Sequence, residues 1–304
     1  MFDKSKFTYG MEIEWGDVPR SFLIPEHLGT WEYSERDIIN LKDPYKYVCA
    51  DPLGETPPFG GEINTKPTKT WQEQVEKYFE LYKLFEDIGH APTVGVTAHT
   101  HIHCRVPGLR DDIQALKKLT KYIKDNQADA IEHVYCFFEH NQMRGAKGAK
   151  MYLKFDGGRP MPDYMSDNII NLAKDFDHFI KLHAAGKDGV SMGRPFRFAI
   201  NMYALKHIDT VEFRLFRGTL DRTELETCFR FVQDFLDAAL NDGPDVQELF
   251  MNNDYKFPPF VYDHEMYVAW ENTKYERTDR NLDDETAERL GLNKLGKSRK
   301  FLEV

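Results

Sequence analysis

Three histidines at alternate positions constrain this chain more than any other feature of its sequence. Over residues 94–106 the apolar residues Val94, Val96, Ala98, Ile102, Cys104 and Val106 alternate with Thr97, His99, His101, His103 and Arg105. A period of two is the signature of a β-strand, whose successive side chains point to opposite faces. All three imidazoles then share one face, and burying three together is costly unless each bonds to something specific. A hydrogen-bonded core network would meet that demand, and so would a ligand-binding face. Either way the sequence calls for a sheet with one apolar side and one side crowded with polar groups.

Other segments repeat the pattern. From Phe7 to Trp15, the residues Phe7, Tyr9, Met11, Ile13 and Trp15 alternate with Thr8, Gly10, Glu12 and Glu14, so the two carboxylates project side by side. Paired carboxylates suit one or two hard cations, although a solvent-facing strand looks similar. RFAINMYAL (197–205) and TVEFRLFRGTL (210–220) are separated by a short turn at Lys206 to Asp209 and read as a hairpin. Arg197 and Asn201 share a face on the first strand. Glu212 and Arg214 share one on the second, with Arg217 just beyond; a surface salt-bridge ladder would give the same spacing. Glu62 follows a double glycine in GGEINTKP and reads as a loop residue, which gains weight only from its company.

Helical spacing accounts for much of the rest. Thr70 can cap a helix carrying Trp71, Val75, Tyr78, Phe79, Tyr82 and Phe85 that stops at Gly89 and covers the back of the sheet. Helices are also expected at about 110–124, 126–140 and 167–184, and from Thr223 to Leu240, with a short strand near Tyr45 to Cys49. The glycines and lysines of residues 143–162 break all periodicity, and a loop holding Arg144, Lys147 and Lys150 could close over an anionic ligand or equally be a plain solvated loop. The expectation is one α+β domain over 1–304, with a core at about 5–242 and a peripheral wrap at 243–304.

Composition narrows the function classes. With 50 acidic and 40 basic side chains the net charge is −10, which disfavours long nucleic acid and anionic membrane as partners. The four cysteines lack CxxC spacing, arguing against a disulfide framework or a structural zinc site. Neither a signal-peptide core in MFDKSKFTYG nor an apolar stretch of roughly 20 residues is found, so a cytoplasmic location is expected. Homo-oligomerisation stays open, because the aromatic-rich segment 255–270 could pack internally or against a second subunit. A sheet face of Glu, His, Arg and Asn combines cation ligands with oxyanion partners, the pairing phosphoryl transfer needs.

The strings YGMEIEW, GGEINTKP, HTHIHCRV, RFAINMYAL and VEFRLFRGTLD, in this order over residues 9–221, resemble the amidoligase family of the carboxylate-amine ligase superfamily. Glutamine synthetase and glutamate–cysteine ligase are its better-known relatives. The resemblance implies a curved antiparallel sheet with helices outside and a concave face that holds ATP and Mg²⁺ or Mn²⁺. Carried onto this sequence, it implies metal ligation by Glu12, Glu14, Glu62, His101 and Glu212, and a metal or γ-phosphate contact at His103. Arg214, Arg197 and Arg217 would stabilise the transferred phosphoryl group, and Asn201, Lys147 and Lys150 would join Arg197 and Arg214 in nucleotide binding. Lys66 stands where the family carries small or apolar residues and would touch the substrate. The activity implied joins a small-molecule carboxylate to an amine through an acyl phosphate. Two readings compete with it: a metal-dependent hydrolase built on the HxH pair and its carboxylates, and an inactive binding scaffold.

Overall fold

The computed structural model describes residues 1–16, 60–87, 89, 91–92, 94, 99–134, 160–185 and 198–257. Its centre is an open sheet formed by β1 (Thr8–Gly16), β2 (Gly60–Asn64), β3 (His99–Arg105), β4 (Ile200–Asn201) and β5 (Val211–Arg217). The strand order is β2-β1-β3-β5-β4, and every neighbouring pair is antiparallel. Helices α1 (Trp71–Asp87), α2 (Ile113–Val134), α3 (Asp163–Leu172), α4 (Phe176–His183), α5 (Leu205–Ile208), α6 (Arg222–Asn241) and α7 (Val246–Asn252) complete an α+β architecture.

The apolar half of each strand alternation makes the core. Tyr9, Met11, Ile13, Trp15, Ile102, Cys104, Val211 and Phe213 are buried, and α1, α2 and α6 pack against β1, β5 and β3 respectively. Trp15 shows how the layers lock: its ring meets Tyr78 of α1 edge-on at 5.0 Å, while its indole N–H donates to the Tyr78 hydroxyl at 2.8 Å. No helix among the described residues is long and apolar enough to cross a membrane.

Several expectations need correction. Glu62 lies in an edge strand rather than a loop, because GGEIN pairs with β1 and sets Glu62 opposite Glu14. One helix over 113–134 replaces the expected pair. Asn126 and Gln127, where the second helix was expected to begin, are held inside the single helix by their side-chain bonds: Asn126 donates to the Tyr122 carbonyl and accepts from Val246 N, and Gln127 exchanges hydrogen bonds with the Met161 backbone. Conversely, the single helix expected at 167–184 is two. Ala173 is extended, and Asp175 opens a new helix by accepting from His178 N at 2.7 Å. The strand near Tyr45 to Cys49 and most of the 143–162 loop lie outside the described residues, as does the 243–304 wrap beyond residue 257.

The β3–β5 ladder carries one irregularity that shapes the site. Thr100 pairs with Phe216 and Ile102 with Phe213, so two residues on β3 span three on β5. This β-bulge lets β5 keep Phe213 and Phe216 buried although they are an odd number apart. It also explains how Arg214 and Arg217, three apart, avoid strict alternation: Arg217 is in register with His99, on the histidine side of the sheet.

Candidate metal centre

The polar half of the same alternations converges on the three central strands. Glu12 stands opposite His101, and His103 stands opposite Gly10 on one side and Glu212 on the other. Glu12 Oε2 is 2.6 Å from His101 Nδ1, and Glu12 Oε1 is 3.1 Å from His103 Nε2. Glu212 is held from its own side: Asn201 Nδ2 donates to Oε2 at 2.7 Å and the Arg214 guanidinium donates to Oε1. His101 Nδ1 also lies 3.9 Å from Glu212 Oε1, linking the two carboxylates. His101, His103, Asn201, Glu212 and Arg214 are all buried.

Burial by itself raises the pKa of Glu12, yet the hydrogen bonds and charge of His101 and His103 outweigh it and hold the carboxyl well below its ordinary value. Burial and the Arg214 charge push His101 down, more than Glu12 offsets. His103 goes the other way: burial lowers its pKa, but Glu12 and Glu212 outweigh that and raise it. Burial thus favours the neutral form of His101, the carboxylates favour the protonated form of His103, and both rings favour an ionised Glu12.

One ligand atom each from Glu12, His103 and Glu212 lies within 4.8 Å of the others. Ligands on opposite sides of a cation with bonds of about 2.1–2.4 Å stand about 4.2–4.8 Å apart, so the donor set fits one divalent ion. The two carboxylates are oxygen donors of the kind that Mg²⁺ and Mn²⁺ prefer, the imidazole is a donor shared with the later transition metals, and a cation bound there would compete with a proton for His103.

The sequence-predicted residues divide into three groups. Glu12, His101, His103, Asn201, Glu212 and Arg214 are brought together. Asn201, expected at a nucleotide, bonds Glu212 and caps the following turn through Tyr203 N. Arg217 sits at the edge, paired with Glu224 of α6 by bonds of 2.7 and 3.0 Å. Arg197, Lys147 and Lys150 lie outside the described residues, as do the side chains of Glu14 and Glu62. Arg105, at the end of β3, pairs with Asp209 at 2.7 Å.

Sequence reasoning missed Thr210, whose hydroxyl is 3.0 Å from His103 Nδ1, and Glu224, which binds Arg217 and accepts from Thr219 at 2.7 Å. Running the Glu212–Arg214 alternation back by one step would have found Thr210; Glu224 gave no such signal. No protein-family model matches the chain, and a search of curated proteins finds no match.

Proposed function

We propose that the chain is an ATP-dependent carboxylate–amine ligase working from the polar face of its sheet. The observation that carries this reading is the convergence of Glu12, His103 and Glu212 within 4.8 Å, next to a buried arginine. A hard-cation site beside a fixed guanidinium is what binding and transferring a phosphoryl group requires. The order of the five strings along the chain supports the same reading, with the antiparallel sheet as the counterpart of the curved catalytic sheet of glutamine synthetase.

Glu12, His103 and Glu212 would hold the cation, and the family resemblance adds Glu14 and Glu62, which are paired across β1 and β2. Bound there, Mg²⁺ or Mn²⁺ neutralises phosphate oxygens and eases the approach of a carboxylate anion to a polyanion. Asn201 and Arg214 fix Glu212 from either side, so its oxygens need little reorganisation. Arg214 adds a positive charge that stabilises the phosphoryl oxygens in transit. His101, kept neutral, orients Glu12 through their hydrogen bond. The reaction so supported is attack of a substrate carboxylate on the γ-phosphorus of ATP with loss of ADP, then displacement of phosphate from the acyl phosphate by an amine.

The test is release of ADP and phosphate from ATP and Mg²⁺ in the presence of pooled acids and amines, for the natural protein and for Glu12→Gln and Glu212→Gln. Release that needs both pools and disappears in the variants supports the ligase, and mass spectrometry of the mixture identifies the amide. The imidazole in the ligand set favours a second reading, a metal-dependent hydrolase. Turnover of an ester or amide with metal but without ATP would select it. Failure to bind ATP or metal at all would leave a binding scaffold.

A further inference from the structure

The geometry points to Thr210 as a positioning residue that turns His103 toward the cation, an inference that rests on the metal site proposed above. The His103 ring is held at both nitrogens: Nδ1 is 3.0 Å from Thr210 Oγ1, and Nε2 is 3.1 Å from Glu12 Oε1. With Nδ1 engaged by the hydroxyl, Nε2 is the nitrogen directed at Glu12. An imidazole that binds a metal through one nitrogen is oriented by what the other nitrogen bonds, and losing that partner typically weakens the metal. A threonine hydroxyl is well suited to the task because it both donates and accepts. It can serve a His103 that donates Nε2–H to Glu12 and a His103 that presents an Nε2 lone pair to a cation.

The backbone around Thr210 is built to hold it there. Asp209 adopts φ 56°, ψ 38°, a left-handed conformation that closes the turn from α5 into β5. Its Oδ2 accepts from Arg105 Nε at 2.7 Å, and Arg105 lies two residues beyond His103 on β3. The turn that supplies Thr210 is thereby tied to the strand that supplies His103. The ring, the hydroxyl, the turn and Arg105 form a closed frame.

The experiment compares the natural protein with Thr210→Val, which keeps the shape and removes the hydroxyl, and Thr210→Ser, which restores it. Mn²⁺ affinity is read by electron paramagnetic resonance, and the ring nitrogens of His103 are read by ¹⁵N NMR in the metal-free, histidine-labelled protein, assigned with His103→Gln. We expect Thr210→Val to bind Mn²⁺ about tenfold or more weakly, with a metal-free Tm near that of the natural protein, and Thr210→Ser to recover the affinity. Equal Mn²⁺ affinity in Thr210→Val, or equal weakness in Thr210→Ser, overturns the inference. If the natural protein takes up no Mn²⁺, the metal reading itself falls. The NMR arm then judges the contact separately: an Nδ1 shift common to the natural protein and Thr210→Val rules out a positioning hydroxyl.

Discussion

His183, at the C-terminal end of α4, offers a quantitative test of how the core treats a titratable group. The ring is fully buried, faces Phe179, Phe198 and Tyr203 at centroid distances of 5.5–6.0 Å, and has no hydrogen-bond partner among the described residues. Desolvation lowers its pKa from 6.5 to about 4. The folded state therefore binds fewer protons here than the unfolded chain between those two values, so stability is complete above pH 6.5 and is lost as pH falls toward 4. At about 1.4 kcal/mol per pH unit the loss saturates near 3 kcal/mol, and between pH 7.5 and pH 5 it amounts to about 2 kcal/mol. His183→Leu removes the ionisation and suits the apolar surroundings. Urea denaturation of both proteins in EDTA, repeated from pH 8 to pH 5, isolates the effect, because all other groups titrate in common. The natural protein should lose about 2 kcal/mol more than His183→Leu over that interval. Parallel losses would show that His183 is not kept neutral by its pocket, and the argument would fail.

Other perturbations test the frame around the site. Asp221→Ala removes the side chain that accepts from Glu224 N at 2.8 Å and should cost about 1 kcal/mol in chemical denaturation. Phe229→Ala leaves a hole beside Tyr9 in the fully buried layer between α6 and β1, and a loss of about 3–5 kcal/mol is expected by the same assay. Gly108 has φ +84° with open space where a side chain would stand, so Gly108→Ala should cost about 1 kcal/mol or more from backbone strain alone, visible as a lower Tm. Arg217→Ala should leave Mn²⁺ affinity unchanged, because two of its guanidinium nitrogens bond Glu224 and Arg217 is not among the three residues that could hold the ion; a weakened site would show that Arg217 contributes to it.

Much of the site was legible because a strand's alternation encodes its faces directly. Glu12, His101, His103 and Glu212 could be grouped from the sequence once period two was recognised, and pairing between β1, β3 and β5 did bring them together. Pairing itself was hidden. Nothing local to GGEIN announces a strand, since Gly60 and Gly61 weaken one and only the β1 backbone completes it. The bulge in β5 was equally invisible, because it arises from the two-against-three match with β3 and not from a turn residue. Helix ends failed for a related reason: Asn126 and Gln127 look like breakers until their partners in α7 and at Met161 are known, whereas Asp175 signals a cap only if the helix before it has already ended.

The strand order has a consequence for how the protein reaches its working state. Glu12 and His103 are 91 residues apart, and His103 and Thr210 are 107 apart, so no two of the central strands can meet as a local hairpin. Contacts of such long range are entropically late in folding and belong to a slow, high-contact-order topology. Glu12, His103 and Glu212 are thus brought together by late, long-range pairings, and no short fragment of the chain carries all three. On the proposed reading, metal binding would report complete folding, because a cation present during refolding would stabilise only chains whose three central strands have all found their register.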